Sequence, residues 1–223
     1  MRSTRNAVRV GGTWLAIASA LIIGVLALHG PIAPDHAVQM TRVADRSTVW
    51  IVAHWMAAAA FSLYAVAGLI VLTSETRLTE GWWTMTAWAV LPVGALWTLT
   101  TAVAEATVVA SAAVSGHNEV YEAWWAFAEG KANGFAFMAL AIAVIAGNEA
   151  RSPERVTPAW SALIAMVAGV ASFIGWVMGM WFGIGPASLL WVAASILMSA
   201  WSGWFGIALS HAAPMGGADA RAD

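Results

Sequence analysis

Long apolar segments alternate along the chain with short polar ones. Most of the apolar segments have twenty residues or more, which is the length needed to cross roughly 30 Å of hydrocarbon. The segments are separated by turn-forming and charged residues, which cannot lie in lipid without partners. This pattern predicts six membrane-spanning helices, at residues 14–28, 49–73, 82–114, 121–146, 159–182 and 187–210.

The predicted fold class is all-α: a polytopic membrane protein built as a bundle of six transmembrane helices. We expect residues 1–213 to form one transmembrane domain and residues 214–223 to form a flexible tail. With six spans, two arginines (Arg42 and Arg46) fall on one side of the membrane and the other seven on the opposite side. Cytoplasmic loops are enriched in Arg and Lys, so both termini are predicted to be cytoplasmic, in a multi-pass protein of the cell membrane.

Composition narrows the function classes. Charged residues make up 10% of the chain, against about 25% in an average soluble domain, so no separate soluble domain is expected. The net charge is −2, and no basic patch with interleaved aromatics indicates nucleic acid as a partner. The chain has no cysteine, which excludes disulfides, thiolate metal sites and iron–sulfur clusters. No hydrolase or nucleotide-binding motif occurs in a usable context, so the sequence favours a role other than catalysis.

Four of the five histidines fall at the predicted outer face, together with several carboxylates. The histidines are His29, His36, His54 and His117, and the carboxylates are Asp35, Asp45, Glu119 and Glu122. Imidazole and carboxylate ligands suit zinc, copper or iron, so one hypothesis is a divalent metal site. A second is that these are interfacial histidines that cap helix ends and bind water. A third is axial ligation of haem, for which His54 is the best placed and would need an inward-facing partner.

Three ionisable residues are predicted deeper in the membrane. Glu105 precedes His117 by twelve residues, or about 18 Å of helix, and burying its charge costs roughly 2.5–3.5 kcal/mol on insertion scales. Lys131, the only lysine, is predicted at similar depth on the neighbouring antiparallel helix. We therefore expect a Glu105–Lys131 ion pair, either structural or part of a proton or cation path, with Glu129 facing another partner or water.

Small residues predict how the last two helices pack. Lipid is as apolar as leucine, so membrane helices associate where small side chains let their backbones approach. Gly175, Gly179 and Gly183 recur every four residues in the fifth segment, and Ser195 and Ser199 have the same spacing in the sixth. These two helices are predicted to pack tightly.

Tryptophans cluster near both ends of the predicted spans, as expected for interfacial belts. The outer belt is predicted to contain Trp50, Trp124, Trp125, Trp181 and Trp191. Stacking of some of these rings on a ligand is the alternative interpretation.

The leading functional hypothesis is that the protein handles a proton, cation or metal ion. The ion would pass through an outward-facing His/Glu site toward the Glu105–Lys131 pair. One alternative is a non-catalytic membrane subunit or anchor of a larger complex, and another is a haem-binding membrane redox protein. Beyond the lipid bilayer, the expected partners are further copies of the chain or other membrane subunits.

Overall fold

The computed structural model describes residues 2–30, 32–33, 35–74, 76–128 and 134–212, and this part of the chain contains helices and no strand. Two segments of π-helix interrupt longer helices, Glu105–Val109 before α5 and Val177–Trp181 after α8, and a short 3-10 turn covers Arg77–Thr79. The α-helices are α1 (Arg2–His29), α2 (His36–Asp45), α3 (Ser47–Leu72), α4 (Trp82–Ala104), α5 (Ala110–Ser115), α6 (Asn118–Ala128), α7 (Phe135–Arg151), α8 (Ala159–Trp176) and α9 (Gly185–His211).

Six long helices form a closed ring. α3 packs against α1 and α4, α7 against α4 and α8, and α9 against α8 and back against α1. The first and last described residues therefore lie at the same end of the ring, where Arg9 Nε donates to the Ser210 carbonyl over 2.9 Å. The ring encloses a lumen, and the side chains that line this lumen decide what the protein can bind.

Five described helices are long and apolar enough to cross a membrane: Asn6–His29, Ser47–Leu72, Trp82–Ser115, Ala159–Trp181 and Gly185–His211. The predicted span 121–146 is only partly described: α6 covers its start, α7 covers its end, and residues 129–133 lie outside the described residues. α7 has 17 residues, or about 25 Å of helix, slightly less than the hydrocarbon thickness. The sixth span and the orientation of the termini stay predictions.

Glycines set the closest approaches between neighbouring helices of the ring. A Cβ added to Gly12 on α1 would lie 2.6 Å from the Gly206 carbonyl oxygen on α9, and one added to Gly206 would lie 2.5 Å from the Gly12 oxygen. Gly134, just before α7, meets Gly94 of α4 in the same way, with 2.4 Å from its added Cβ to the Gly94 oxygen. Backbone therefore contacts backbone at these crossings, which a larger residue would force apart.

Half-way down the lumen, a polar layer lies among apolar side chains. The hydroxyls of Tyr64 on α3 and Ser19 on α1 are 2.8 Å apart. Ser199 and Ser202 of α9 surround the same tyrosine hydroxyl. Ser19, Ser199 and Ser202 are each at most 1% exposed, so this layer ties α1, α3 and α9 together away from water.

At the end that holds the termini, a buried ion pair joins two loops. Arg77 Nη1 lies 3.2 Å from Glu149 Oε2 at the end of α7, and the glutamate is 1% exposed. The other oxygen of Glu149 accepts hydrogen bonds from the backbone N–H groups of Val156 and Thr157, before α8. Both carboxylate oxygens are thus used, which offsets the cost of burying the charge.

Gly12→Ala is expected to lower the free energy of unfolding by about 1–3 kcal/mol, because the added methyl group overpacks the α1–α9 crossing. Gly24→Ala on the same helix is the matched control. Its Cβ would meet only the flexible end of Met56 at 3.4 Å, and alanine is the better helix former by roughly 0.5–1 kcal/mol. Thermal unfolding in detergent measures both, and equal melting temperatures would contradict the close approach.

Glu149→Ala is expected to destabilise the protein by about 3–5 kcal/mol, because Arg77 would lose its buried partner. Glu154→Ala is the control, since its carboxylate lies 3.8 Å from Arg77 Nε and is 55% exposed; an exposed pair is worth about 0–1 kcal/mol. If the two variants unfold at the same temperature, the buried pair does not hold the loops.

Candidate functional site

Two short helices cover the end of the ring opposite the termini. α2 follows the end of α1, and α6 follows α5, and each contacts the α5 or π-helical stretch after α4. Their buried faces share a cluster with the start of α3, formed by Val43, Trp50, Val109, Ala110, Ala112, Ala113, Tyr121 and Trp125. We call α2 and α6 together the cap.

A polar contact connects the two helices of the cap. His36 Nδ1 on α2 lies 2.8 Å from Glu122 Oε2 on α6, and both side chains are at least one-third exposed. The N-terminus of α2 is stabilised by Asp35, whose side-chain Oδ1 accepts a hydrogen bond from the Val38 N–H over 2.9 Å. The cap is therefore held by buried aromatic packing and by one solvent-facing contact.

A cavity of about 120 Å³ lies in the lumen beneath the cap. All six helices of the ring and α6 contribute to its lining. Along α1 the lining runs from Ile22 to His29, which is about 10 Å of helix. A cavity of about 150 Å³ accommodates benzene, so this space suits a molecule of similar or smaller size.

Two histidines on adjacent helices line the cavity with fixed ring orientations. His54 Nδ1 on α3 bonds the Trp50 carbonyl oxygen over 2.8 Å, and His29 Nδ1 bonds the Gly30 carbonyl oxygen over the same distance. A carbonyl oxygen only accepts, so each Nδ1 carries the hydrogen. In the neutral rings both Nε2 atoms are then acceptors, and neither has a hydrogen bond within the described residues.

The stretch of α4 that continues into the first π segment supplies the other polar lining. Thr98, Thr101 and Glu105 are spaced at i, i+3 and i+7, so they share a helical face. Thr98 Oγ1 donates to the Gly94 carbonyl over 2.7 Å. The lone pairs of the threonine oxygen can then accept hydrogen bonds from other groups. Glu105 is 6% exposed and begins the π segment; single-turn π segments are frequent at functional sites.

Aromatic rings form two further walls of the cavity. On one side, Trp50 contacts the His54 ring at 4.5 Å and the His29 ring at 4.7 Å between centroids, and Trp125 lies 6.5 Å from Trp50. On the other side, three rings pack mutually within 5.7 Å: Phe135 of α7, Trp176 of α8 and Trp191 of α9. The cavity is thus lined by π surfaces as well as by acceptors.

Three of these tryptophans differ from the prediction of an interfacial belt. Trp50, Trp125 and Trp191 are 6%, 2% and 8% exposed and line the lumen, whereas Trp124 and Trp181 stay exposed. Their indole N–H groups are inaccessible and have no acceptor within the described residues, so these tryptophans offer ring surface to a ligand. The sequence signal was the i, i+4 pairing of Trp50 with His54 and of Tyr121 with Trp125.

The structure divides the predicted metal ligands among three places. His29 and His54 meet at the cavity with 5.2 Å between ring centroids, His36 and Glu122 pair in the cap, and His117 is exposed beyond α5. No group of three His, Asp or Glu able to hold a metal occurs within the described ranges.

Of the three deeper ionisable residues, the structure describes Glu105. Glu105 reaches the cavity, but Lys131 and Glu129 lie outside the described residues. The Glu105–Lys131 pair therefore stays a prediction, as does the role assigned to Glu129.

The predicted packing residues of the last two helices have different surroundings. Added Cβ atoms on Gly175 and Gly179 would meet α9 backbone within 3.1 Å, and Ser195 shares a hydrogen bond with Ser172 of α8 over 2.9 Å. Gly183 instead lies in the turn before α9, where its φ of 67° favours glycine. Ser199 faces Tyr64.

A comparison of the chain with family models, with curated proteins and with solved structures finds no match.

The contact within the cap predicts a chemical cross-link. In a chain that has no cysteine, the double variant His36→Cys, Glu122→Cys is expected to cross-link with a short bifunctional thiol reagent, as seen by mass spectrometry of the joined peptides. The pair His36→Cys, His211→Cys is the control, because His211 ends α9 at the opposite end of the ring. Equal cross-linking of the two pairs would contradict the placement of α6 beside α2.

Proposed function

We propose that the protein handles a proton or a small cation at the cavity beneath the cap, as a non-enzymatic membrane protein. The observation that carries this proposal is the convergence of His29, His54 and Glu105, from α1, α3 and the first π segment, on one cavity. Ionisable residues inside a membrane are costly, and they commonly mark ion or proton pathways.

The proposal takes the capped end as the outer face. Arginines are concentrated toward the end that holds the termini, in agreement with a cytoplasmic location of that end. A cation arriving from outside would meet the cap first, then the two imidazoles, then the carboxylate. The hydroxyl layer of Tyr64 and Ser19 lies about one helical turn further along from the cavity residues Phe61 and Ile22.

Each polar group has a distinct part in this proposal. The imidazoles accept a proton or coordinate the cation through Nε2, since Nδ1 is used by the backbone. Glu105 provides the negative charge that favours a cation in a low-dielectric site. The aromatic walls keep bulk water out and stabilise a cation through their π faces.

A flux experiment in proteoliposomes tests the proposal. Vesicles loaded with a pH-sensitive dye, or with a sodium- or potassium-sensitive dye, report protein-dependent entry of each ion. Glu105→Gln and His54→Gln are expected to reduce the flux about tenfold or more, since a hydrogen bond to a charged group is worth about 1.5–3 kcal/mol. His117→Gln is the control, because His117 is exposed and lies outside the cavity lining.

Two results would contradict the proposal. One is the absence of protein-dependent flux for all three ions with correctly folded protein. The other is a flux that Glu105→Gln and His54→Gln leave at the level of His117→Gln, because the ion would then not use this cavity.

A further inference from the structure

Two imidazole nitrogens and one hydroxyl oxygen that line the cavity are hydrogen-bond acceptors. His29 and His54 present Nε2 after each Nδ1–H is used by a carbonyl, and the Thr98 oxygen accepts because its hydrogen is donated to Gly94. A ligand that matches this wall must donate hydrogen bonds.

The remaining lining favours positive charge. Aromatic faces attract cations within about 6 Å of the ring centroid, and aromatic cages are a common device for binding ammonium groups. Trp50 and Trp125 lie on one side of the cavity, and Phe135, Trp176 and Trp191 lie on the other. A ligand between them would be surrounded by π surface wherever it does not meet an acceptor.

We infer that the cavity binds a small protonated amine, either ammonium itself or a short primary alkylammonium. This inference rests on the proposed function in taking the cavity as a cation site, and it names the class of cation. A primary ammonium has three N–H donors for the two imidazole acceptors and the hydroxyl acceptor, and a positive charge for the aromatic walls. Primary amines are protonated near neutral pH, since the side-chain pKa of lysine is about 10.4.

Other cations fit this wall less well. Ca²⁺ and Mg²⁺ prefer six or more oxygen ligands, and no group of three His, Asp or Glu able to hold a metal ion occurs in the described part of the chain. A quaternary ammonium has charge but no N–H, so it would leave the imidazole Nε2 atoms unused. With about 120 Å³ available, the ligand is limited to about six non-hydrogen atoms, the size of benzene.

Isothermal titration calorimetry of the whole protein in detergent tests the inference with matched probes. Propylammonium is the ligand of the proposed class, tetramethylammonium has the charge without N–H donors, and 1-propanol has a donor without the charge. Propylammonium is expected to bind about tenfold or more tightly than either of the others, because it alone forms charge-assisted hydrogen bonds with the wall. His29→Leu and His54→Leu are each expected to weaken propylammonium binding about tenfold, whereas His117→Leu leaves it unchanged.

The probe series on the unmodified protein keeps the inference falsifiable if the histidine variants fail to fold. Equal affinity for propylammonium and tetramethylammonium would overturn the role of the acceptors. Equal affinity for propylammonium and 1-propanol would overturn the selection of charge, and a lack of binding by propylammonium and by ammonium chloride would overturn the site itself.

The same measurements separate this inference from the proposed function. Selective binding of propylammonium without flux of any ion in vesicles would leave the amine site standing and contradict cation movement. Flux of protons or sodium that depends on Glu105, without binding of amines, would leave the proposed function standing and contradict the amine class.

Discussion

The close approach of backbone to backbone at glycine is the constraint on which the rest of the structure depends. Between helices in a bilayer there is no hydrophobic drive, so the ring holds together through van der Waals contact of small residues. The Gly12–Gly206 and Gly94–Gly134 contacts close α1 on α9 and α4 on α7. At the capped end the lumen is filled differently, because five aromatic side chains line the cavity there: Trp50, Trp125, Phe135, Trp176 and Trp191.

The buried ion pair of Glu149 and the cavity differ in how far their polar groups are satisfied. At the end with the termini, both oxygens of Glu149 are used, one by Arg77 and the other by two backbone N–H groups. At the cavity, each histidine donates from one ring nitrogen to the backbone carbonyl of a nearby residue, and its other ring nitrogen faces the lumen. The first arrangement is complete and holds loops together, whereas the second leaves an acceptor to which a ligand can bind.

The sequence predicted the positions of the helices better than the contacts between them. Apolar length and turn residues are local signals, and they locate five described spans within a few residues of the observed ends, apart from the earlier start of the first. The fourth predicted segment is not tested in its middle, because residues 129–133, between α6 and α7, lie outside the described residues. Glu149 was missed because its partner Arg77 lies 72 residues earlier, and no local pattern records such a contact.

The candidate site was predictable in its residue types but not in its geometry. His54 and Glu105 stand out in an apolar sequence by their ionisable side chains. Hydropathy alone cannot tell a tryptophan that faces lipid from one that faces a lumen, so Trp50, Trp125 and Trp191 were expected at the surface. Which ring nitrogen of each histidine faces the cavity depends on three-dimensional hydrogen bonding.

Both π segments border the cavity, with Glu105 opening the first and Met180 within the second. A π turn accommodates one residue more than an α turn, and one residue corresponds to about 100° of rotation at 3.6 residues per turn. In evolutionary terms, the π segments are positions where a single residue can be inserted or deleted, and such a change would rotate one wall of the cavity. Gly94 precedes the first segment, so its contact with Gly134 would stay in register, and the wall that carries Glu105 could change while α4 and α7 stay packed together.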